Sequence, residues 1–159
     1  MNLAIIGNSG SGKTTLARRL SAIDGAKLLE LDAIYWEPGK IAEKRDSLEV
    51  EADLLNFVER EPAWIIEGCY GSLLQIIKAR IDLLIFMNPG MEKCVANNLQ
   101  RPWEPEKYKS AAEQNEKLEY LIHWVKAYYD RDDEMSLKGH QKIFAEFDGL
   151  KLEVVNFDA

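Results

Sequence analysis

Apolar residues recur along the chain in two rhythms. Short runs at Leu3–Ile6, Lys27–Leu31, Trp64–Ile66, Ile81–Met87 and Leu150–Asn156 predict strands. The run IDLLIFM at 81–87 is the most continuously apolar, as expected of a strand covered on both faces. Between these runs the apolar positions take helical spacing. A helix over roughly 12–23 carries the stripe Leu16, Leu20 and Ile23 and stops at Gly25. Residues 46–61 predict a charged amphipathic helix with Leu48, Leu55 and Val58 inward, and shorter helices follow over Gly71–Arg80 and Met91–Gln100. A long helix over about 106–130 repeats Leu118, Leu121, Ile122, Val125 and Tyr129, and a last one lies near 138–147.

The punctuation between these elements is clear. Ala33–Lys44, with Tyr35, Trp36, Pro38 and Gly39, reads as loop and turn; Pro62 and Asn88-Pro89-Gly90 end segments, and Arg101-Pro102-Trp103-Glu104-Pro105 breaks a helix sharply. The Asp130–Glu134 run reads as a solvated helix end. Strands and helices therefore alternate, which predicts an α/β architecture: a parallel sheet, helices on both faces and right-handed crossovers. No repeat, low-complexity segment or linker divides residues 1–159, so a single domain is expected, with no closing helix after the last strand.

Composition narrows this picture. At 159 residues and 47% hydrophobic content the chain can bury a real core. Its net charge of −7 argues against direct nucleic-acid binding, which rests on Lys and Arg neutralising phosphates. No run reaches the ~18 apolar residues of a membrane span, and Met1–Ile6 offers no basic leader, so a cytoplasmic protein is expected. Cys69 and Cys94 follow no metal-type spacing and read as reduced, structural thiols.

The chemistry is concentrated in Gly7-Asn8-Ser9-Gly10-Ser11-Gly12-Lys13-Thr14, followed by Thr15. This is G-x-x-x-x-G-K-[ST], the Walker A phosphate loop, and each part meets a physical need. The glycines let the backbone wrap closely around a polyphosphate with its N–H groups pointing inward. Lys13 supplies a point charge to the β and γ phosphates of ATP, the Thr14 hydroxyl coordinates Mg²⁺, and the following helix aims its positive end at the same anions. A Gly/Ser-rich turn is the plainer reading, but an accidental match would rarely lie between an apolar strand and a helix.

Two further carboxylates end strands. Asp32 follows the second, where open α/β sheets place their ligand crevice, and is a candidate for binding the acceptor or acting as a base. A turn or helix-cap role is its alternative. Glu67, before Gly68, stands where a phosphate-loop protein carries the acid that holds Mg²⁺, although Glu-Gly also suits an ordinary turn. Tyr35 and Trp36, just past Asp32, either wall an acceptor pocket or pack beneath the helix that follows.

The combination IIGNSGSGKTTLARRL, LDAIYW, WIIEGCYG and IDLLIF resembles the adenylate-kinase and shikimate-kinase group of small-molecule kinases. It is most similar to a bacterial family usually labelled adenylate-kinase-related or "DNA topology modulation protein". The resemblance covers about residues 1–100. It implies the three-layer α/β/α fold of the P-loop NTPases with a five-stranded parallel sheet in the order 2-3-1-4-5. It also implies an acceptor region over 33–62 that includes Asp32, Tyr35, Trp36, Gly68 and Tyr70, and a lid over about 91–130. Relatives usually carry an arginine soon after the tyrosine of the third-strand turn, where this chain has Tyr70-Gly71-Ser72-Leu73, and their lids are arginine-rich where Cys94–Pro105 offers Arg101 alone. Lys93, Lys107, Lys109 and Arg80 are the candidate substitutes.

The expectation is thus an ATP-dependent phosphotransferase acting on a small acceptor, nucleotide-like or hydroxyl-bearing. Lys13 would stabilise the migrating phosphoryl group, Thr14 and Glu67 hold the metal, Asp32 orient or deprotonate the acceptor, and Arg101 close from the lid. The rival is a nucleotide-binding regulatory module that reports its bound state to a protein partner. A GTPase would need Asn-Lys-x-Asp after a late strand, which is missing from the sequence, and a motor ATPase would need further arginine-bearing elements.

Overall fold

The computed structural model describes residues 1–158, apart from the side chains of Ile41 and Ala42. Its elements in chain order are β1 (Leu3–Gly7), α1 (Lys13–Asp24), β2 (Lys27–Glu30), α2 (Asp32–Tyr35), β3 (Trp36–Glu37), β4 (Lys40–Lys44) and α3 (Ser47–Arg60). Next come β5 (Trp64–Gly68), α4 (Gly71–Ile77) with a 3-10 turn at Lys78–Arg80, β6 (Leu83–Met87), α5 (Met91–Leu99), α6 (Ala111–Ala127), α7 (Leu137–Glu146) and β7 (Leu150–Val154).

The fold class is the expected α/β type. Five strands form a sheet in the order β2-β5-β1-β6-β7, and every pairing in it is parallel. Strands β3 and β4 form a separate antiparallel hairpin that the sequence reading assigned to loop. Counting them changes the numbering; the five sheet strands stand among themselves as 2-3-1-4-5. Two-residue β3 is too short to register as a periodic run, so only its partner's cross-strand bonds define it.

Central β1 is buried along its whole length, as its unbroken apolar sequence requires. Ala4 and Ile6 join Trp64, Ile66, Leu84 and Phe86 on one face, beneath Val50, Leu54, Val58, Leu74 and Ile77 of α3 and α4 and partly buried Leu137, Ile143 and Phe144 of α7. Leu3 and Ile5 face the opposite way with Ile65, Ile85 and Met87, under Ala17, Leu16 and Leu20 of α1. Helices thus lie on both faces. No helix among the described residues is long and apolar enough to cross a membrane.

Several inward positions differ from the sequence pattern. Leu48 is 75% exposed and Ile23 78% exposed. Asp46 caps α3 by accepting from the amides of Leu48 and Glu49, which puts Leu48 in the first turn and turns Val50, Leu54 and Val58 to the core. The long helix begins at Ala111 rather than near 106, because the Ser110 hydroxyl accepts from the Glu113 amide at 3.1 Å and starts it there. In the acidic run at 130–134, Asp130 and Asp132 are exposed as expected of a solvated end, but Asp133 and Glu134 form a structural joint. Asp133 accepts from Arg131 Nε at 2.8 Å and from the Met135 amide at 2.9 Å, and the Glu134 carboxylate accepts from the amide of Ser72.

Candidate functional site

The loop between β1 and α1 has the backbone its glycines permit. Gly10 and Gly12 take φ of 79° and 94°. A Cβ on Gly10 would lie 2.4 Å from the Cys94 carbonyl oxygen, and one on Gly7 would lie 2.6 Å from that of Met87. Only glycine meets both the torsion and the close approach. Asn8 turns back into the protein and donates to the Val125 carbonyl at 3.0 Å, while the Ser11 amide closes the turn on the Asn8 carbonyl at 3.1 Å. Lys13 Nζ reaches back over the loop to that same carbonyl at 3.2 Å. The concave side of the loop opens into a cleft of about 580 Å³.

Thr14 and Glu67 meet on the α1 side of the sheet end. Parallel pairing of β1 with β5 sets Ile5 beside Glu67, so the carboxylate emerges next to the start of α1. The Thr14 hydroxyl donates to Glu67 Oε1 at 2.8 Å, and Glu67 Oε2 is buried without a hydrogen-bond partner. Burial pushes the Glu67 pKa above the usual carboxylate range, against the pull of Lys13 and the Thr14 hydroxyl. An unpartnered oxygen on a buried carboxylate beside a threonine hydroxyl is the donor set a hard divalent cation takes.

Asp32 also lines the cleft, at the start of α2. It accepts from the Tyr70 hydroxyl, which in turn accepts from Trp36 Nε1 at 2.8 Å. From the lid, Lys107 Nζ stands 3.3 Å from Asp32 Oδ2 and 3.3 Å from Glu104 Oε1, and Arg101 lies 3.6 Å from Glu104 Oε2. Burial opposes ionisation of Asp32, but Lys107, the Tyr70 hydroxyl and Lys13 together outweigh it and hold the carboxyl below its ordinary pKa. A carboxylate held ionised in this way binds and orients a hydroxyl better than it removes a proton.

The structure sorts the site residues expected from sequence. Asn8, Ser9, Gly10, Gly12, Lys13, Thr14 and Thr15 of the loop line the cleft, together with Asp32, Tyr70 and Arg101. Gly7, Ser11 and Glu67 are not among its lining residues, and neither are Tyr35, Trp36 and Gly68, contrary to the expected place of the last three on the acceptor wall. Tyr35 is buried and stacks on the Tyr70 ring at 3.9 Å, Trp36 braces its hydroxyl, and Gly68 presses against Leu31. Tyr35 and Trp36 therefore back Tyr70, and Gly68 lies against Leu31. Of the candidate substitute cations, Lys93 and Lys107 line the cleft, whereas Arg80 pairs with Glu59 at 3.5 Å and Lys109 lies outside it.

Other contributors had little sequence signal. Asn97 donates to the Gly10 carbonyl at 2.8 Å, and Asn98 accepts from the Ser9 hydroxyl at 3.1 Å, so α5 buttresses the phosphate loop. The adjacent asparagines in a helix, where their propensity is poor, were the available hint. Phe157 packs against Gly12 and lines the cleft beyond β7, with Trp103, Tyr108 and Trp124 on the lid side. The last residue of the Asn156–Ala159 loop, Ala159, lies outside the described residues.

Behind the site, His140 is fully buried. Its Nε2 lies 2.8 Å from the Cys69 carbonyl, which can only accept, so that nitrogen carries the proton and Nδ1 receives the Tyr128 hydroxyl at 2.9 Å. Burial lowers its pKa to about 4. Cys69 and Cys94 are both free thiols, and burial pushes Cys69 up to about 12.

Comparison with known proteins gives a consistent picture. A shikimate kinase from Acinetobacter baumannii superposes with a TM-score of 0.56 at 16% identity, over 98% of this chain and 84% of that one. The chain shares the fold of that structure, a five-stranded parallel sheet flanked by helices. A gluconokinase from Sinorhizobium meliloti has the same fold at TM-score 0.54 and 13% identity, over 98% of this chain and 83% of its own. No protein-family profile matches the chain. Over 101 residues the chain is 47% identical to a protein of Pyrococcus furiosus named "Putative adenylate kinase", covering 63% of this chain and 54% of that protein, so the match spans about half of its relative's length.

Proposed function

We propose that the protein is an ATP-dependent phosphotransferase that acts on a small-molecule acceptor, with no direct nucleic-acid contact and with a cytoplasmic setting. One observation carries this reading: the glycine cradle with Lys13 and Thr14 opens into the same cleft as Asp32, and Thr14 is hydrogen-bonded to buried Glu67. ATP·Mg²⁺ supplies the γ-phosphoryl group and an ADP leaving group, with the metal neutralising charge between them. The loop amides from Gly7 to Thr15 hold the phosphates, and Lys13 stabilises the group in transfer. Thr14 and Glu67 hold the metal. Among the described residues no cluster of three or more His, Cys, Asp or Glu is placed to bind a metal, so most of the ion's ligands come from phosphate and water. Asp32 orients the acceptor, and Arg101 acts from the lid.

The 47% identity to a protein named as an adenylate kinase supports a kinase, and the narrower kinship with the DNA topology modulation proteins rests on the quoted motifs. A regulatory nucleotide-binding module is the second reading. It is favoured by the lid cations Arg101 and Lys107, which are already engaged with carboxylates. The deciding experiment pairs titration calorimetry of ATP·Mg²⁺ with ADP release, wild type against Lys13→Ala. The variant is expected to keep the wild-type melting temperature and lose at least about tenfold in affinity, or ~1.4 kcal/mol. Unchanged affinity would sink the phosphate-loop assignment; binding without acceptor-stimulated ADP release would favour the regulatory module.

A further inference from the structure

Cations line the cleft at Lys13, Arg18, Lys93, Arg101 and Lys107, yet carboxylates neutralise nearly all of them. Arg18 is 2.7 Å from Glu30, Lys93 is 3.6 Å from Asp158, Arg101 is 3.6 Å from Glu104, and Lys107 lies between Asp32 and Glu104 at 3.3 Å from each. Lys13 alone of these is bonded to a neutral group, the Asn8 carbonyl, and it belongs to the phosphate loop. Around Asp32, Arg101 and Lys107 are paired with Asp32 and Glu104, and Glu106 also lines the cleft. Both of these cations are thus already committed to carboxylates.

A phosphorylated or carboxylated acceptor entering there must break these ion pairs or lie beside uncompensated carboxylates, and both are unfavourable in a half-buried cleft. A neutral hydroxyl meets no such obstacle. Asp32 has one oxygen engaged by Tyr70 and the other 3.3 Å from Lys107, and an ionised carboxylate keeps lone pairs for a further donor. The Trp36–Tyr70 relay holds Asp32 in place. Trp103, Tyr108 and Trp124 line the cleft as aromatic surface for a ring, with one face of Trp124 taken by the Arg131 guanidinium at 3.6 Å.

We propose that the acceptor is an uncharged, hydroxyl-bearing ring compound, whose reacting hydroxyl donates to Asp32 while its ring lies against the lid aromatics. This deepens the phosphotransferase reading and rests on it. In the transfer the bond from the acceptor oxygen to the γ-phosphorus forms as the bond to the bridging oxygen breaks. ADP leaves with the electron pair, and the hydroxyl proton passes to solvent.

The test uses acceptor pairs that differ mainly in charge: adenosine against AMP, thymidine against TMP, and glucose against glucuronate. Two readouts are needed, ADP release from ATP·Mg²⁺ and calorimetric binding of each acceptor without ATP. In the productive pair the neutral member should be preferred at least about tenfold by both. Glu104→Gln, which releases Arg101 and leaves Lys107 paired with Asp32 alone, should narrow that preference by improving the anionic member. Equal or better use of the anionic member by wild type would overturn the inference while leaving the kinase reading intact. Binding of a neutral member without ADP release would uphold the selectivity and remove the kinase reading. If no acceptor bound or reacted while ATP still bound, both would fall.

Discussion

Gly10 shows how narrowly a single position is constrained. Its φ of 79° is strained for any residue with a Cβ, and the added atom would meet backbone oxygen of Cys94 as well as the Asn98 amide. Gly10→Ala should therefore cost about 2 kcal/mol or more of stability and weaken ATP binding, read by urea denaturation and calorimetry. An unchanged denaturation midpoint would mean that the loop adapts freely. Asp32 is the complementary case. Its place at a strand end was visible in the sequence, but not its charge state, which depends on Lys107 and Tyr70 arriving from remote segments.

Among the elements, α5 is the one whose role changed most on folding. Read alone, Met91–Gln100 is a short helix at the start of a lid. Folded, its asparagines tie two points of the phosphate loop, and buried Asn98 also donates to the Cys94 carbonyl at 2.8 Å. Asn98→Ala strands the Ser9 hydroxyl and should cost about 1–3 kcal/mol. Amide hydrogen exchange at Ser9–Gly12 should accelerate in the variant, whereas unchanged protection would show that β1 and α1 hold the loop unaided. Similarly, β3 and β4 form a hairpin whose work is to carry Trp36 to the Tyr70 hydroxyl.

The molecule as a whole couples its interior to pH through His140. Burial is the main cause of its depressed pKa, partly offset by the hydrogen bond at the Cys69 carbonyl and by Asp133 and Glu134, with Lys13 acting in the same direction as burial. The unfolded chain binds this proton near pH 6.5 and the native one only near 4. Stability from this group is thus complete above pH 6.5 and is lost as pH falls toward 4, by roughly 3 kcal/mol in all. Glu67, whose pKa is raised by burial, favours the folded state on acidification and so works in the opposite sense. Comparing wild type with His140→Gln by denaturation at pH 7 and pH 4.5 isolates the histidine. Wild type should lose more stability over that interval; equal losses would assign the acid sensitivity elsewhere.

The phosphate loop, the alternation of strands and helices and the two strand-end carboxylates were legible in the sequence, because each is written in contiguous residues and enforced by local backbone and solvation physics. The periodic pattern missed Leu48 and Ile23, since helix entry and exit decide which turn faces the core. It was equally silent on the supporting contacts: Asn97 and Asn98 act on residues 87 and 89 positions away, and the Tyr70 hydroxyl on one 38 away. Contacts across such distances depend on how helices settle on the finished sheet. Tertiary structure alone therefore decided that Tyr35 and Trp36 stand behind Tyr70, and that Lys107 pairs with Asp32 from a remote segment.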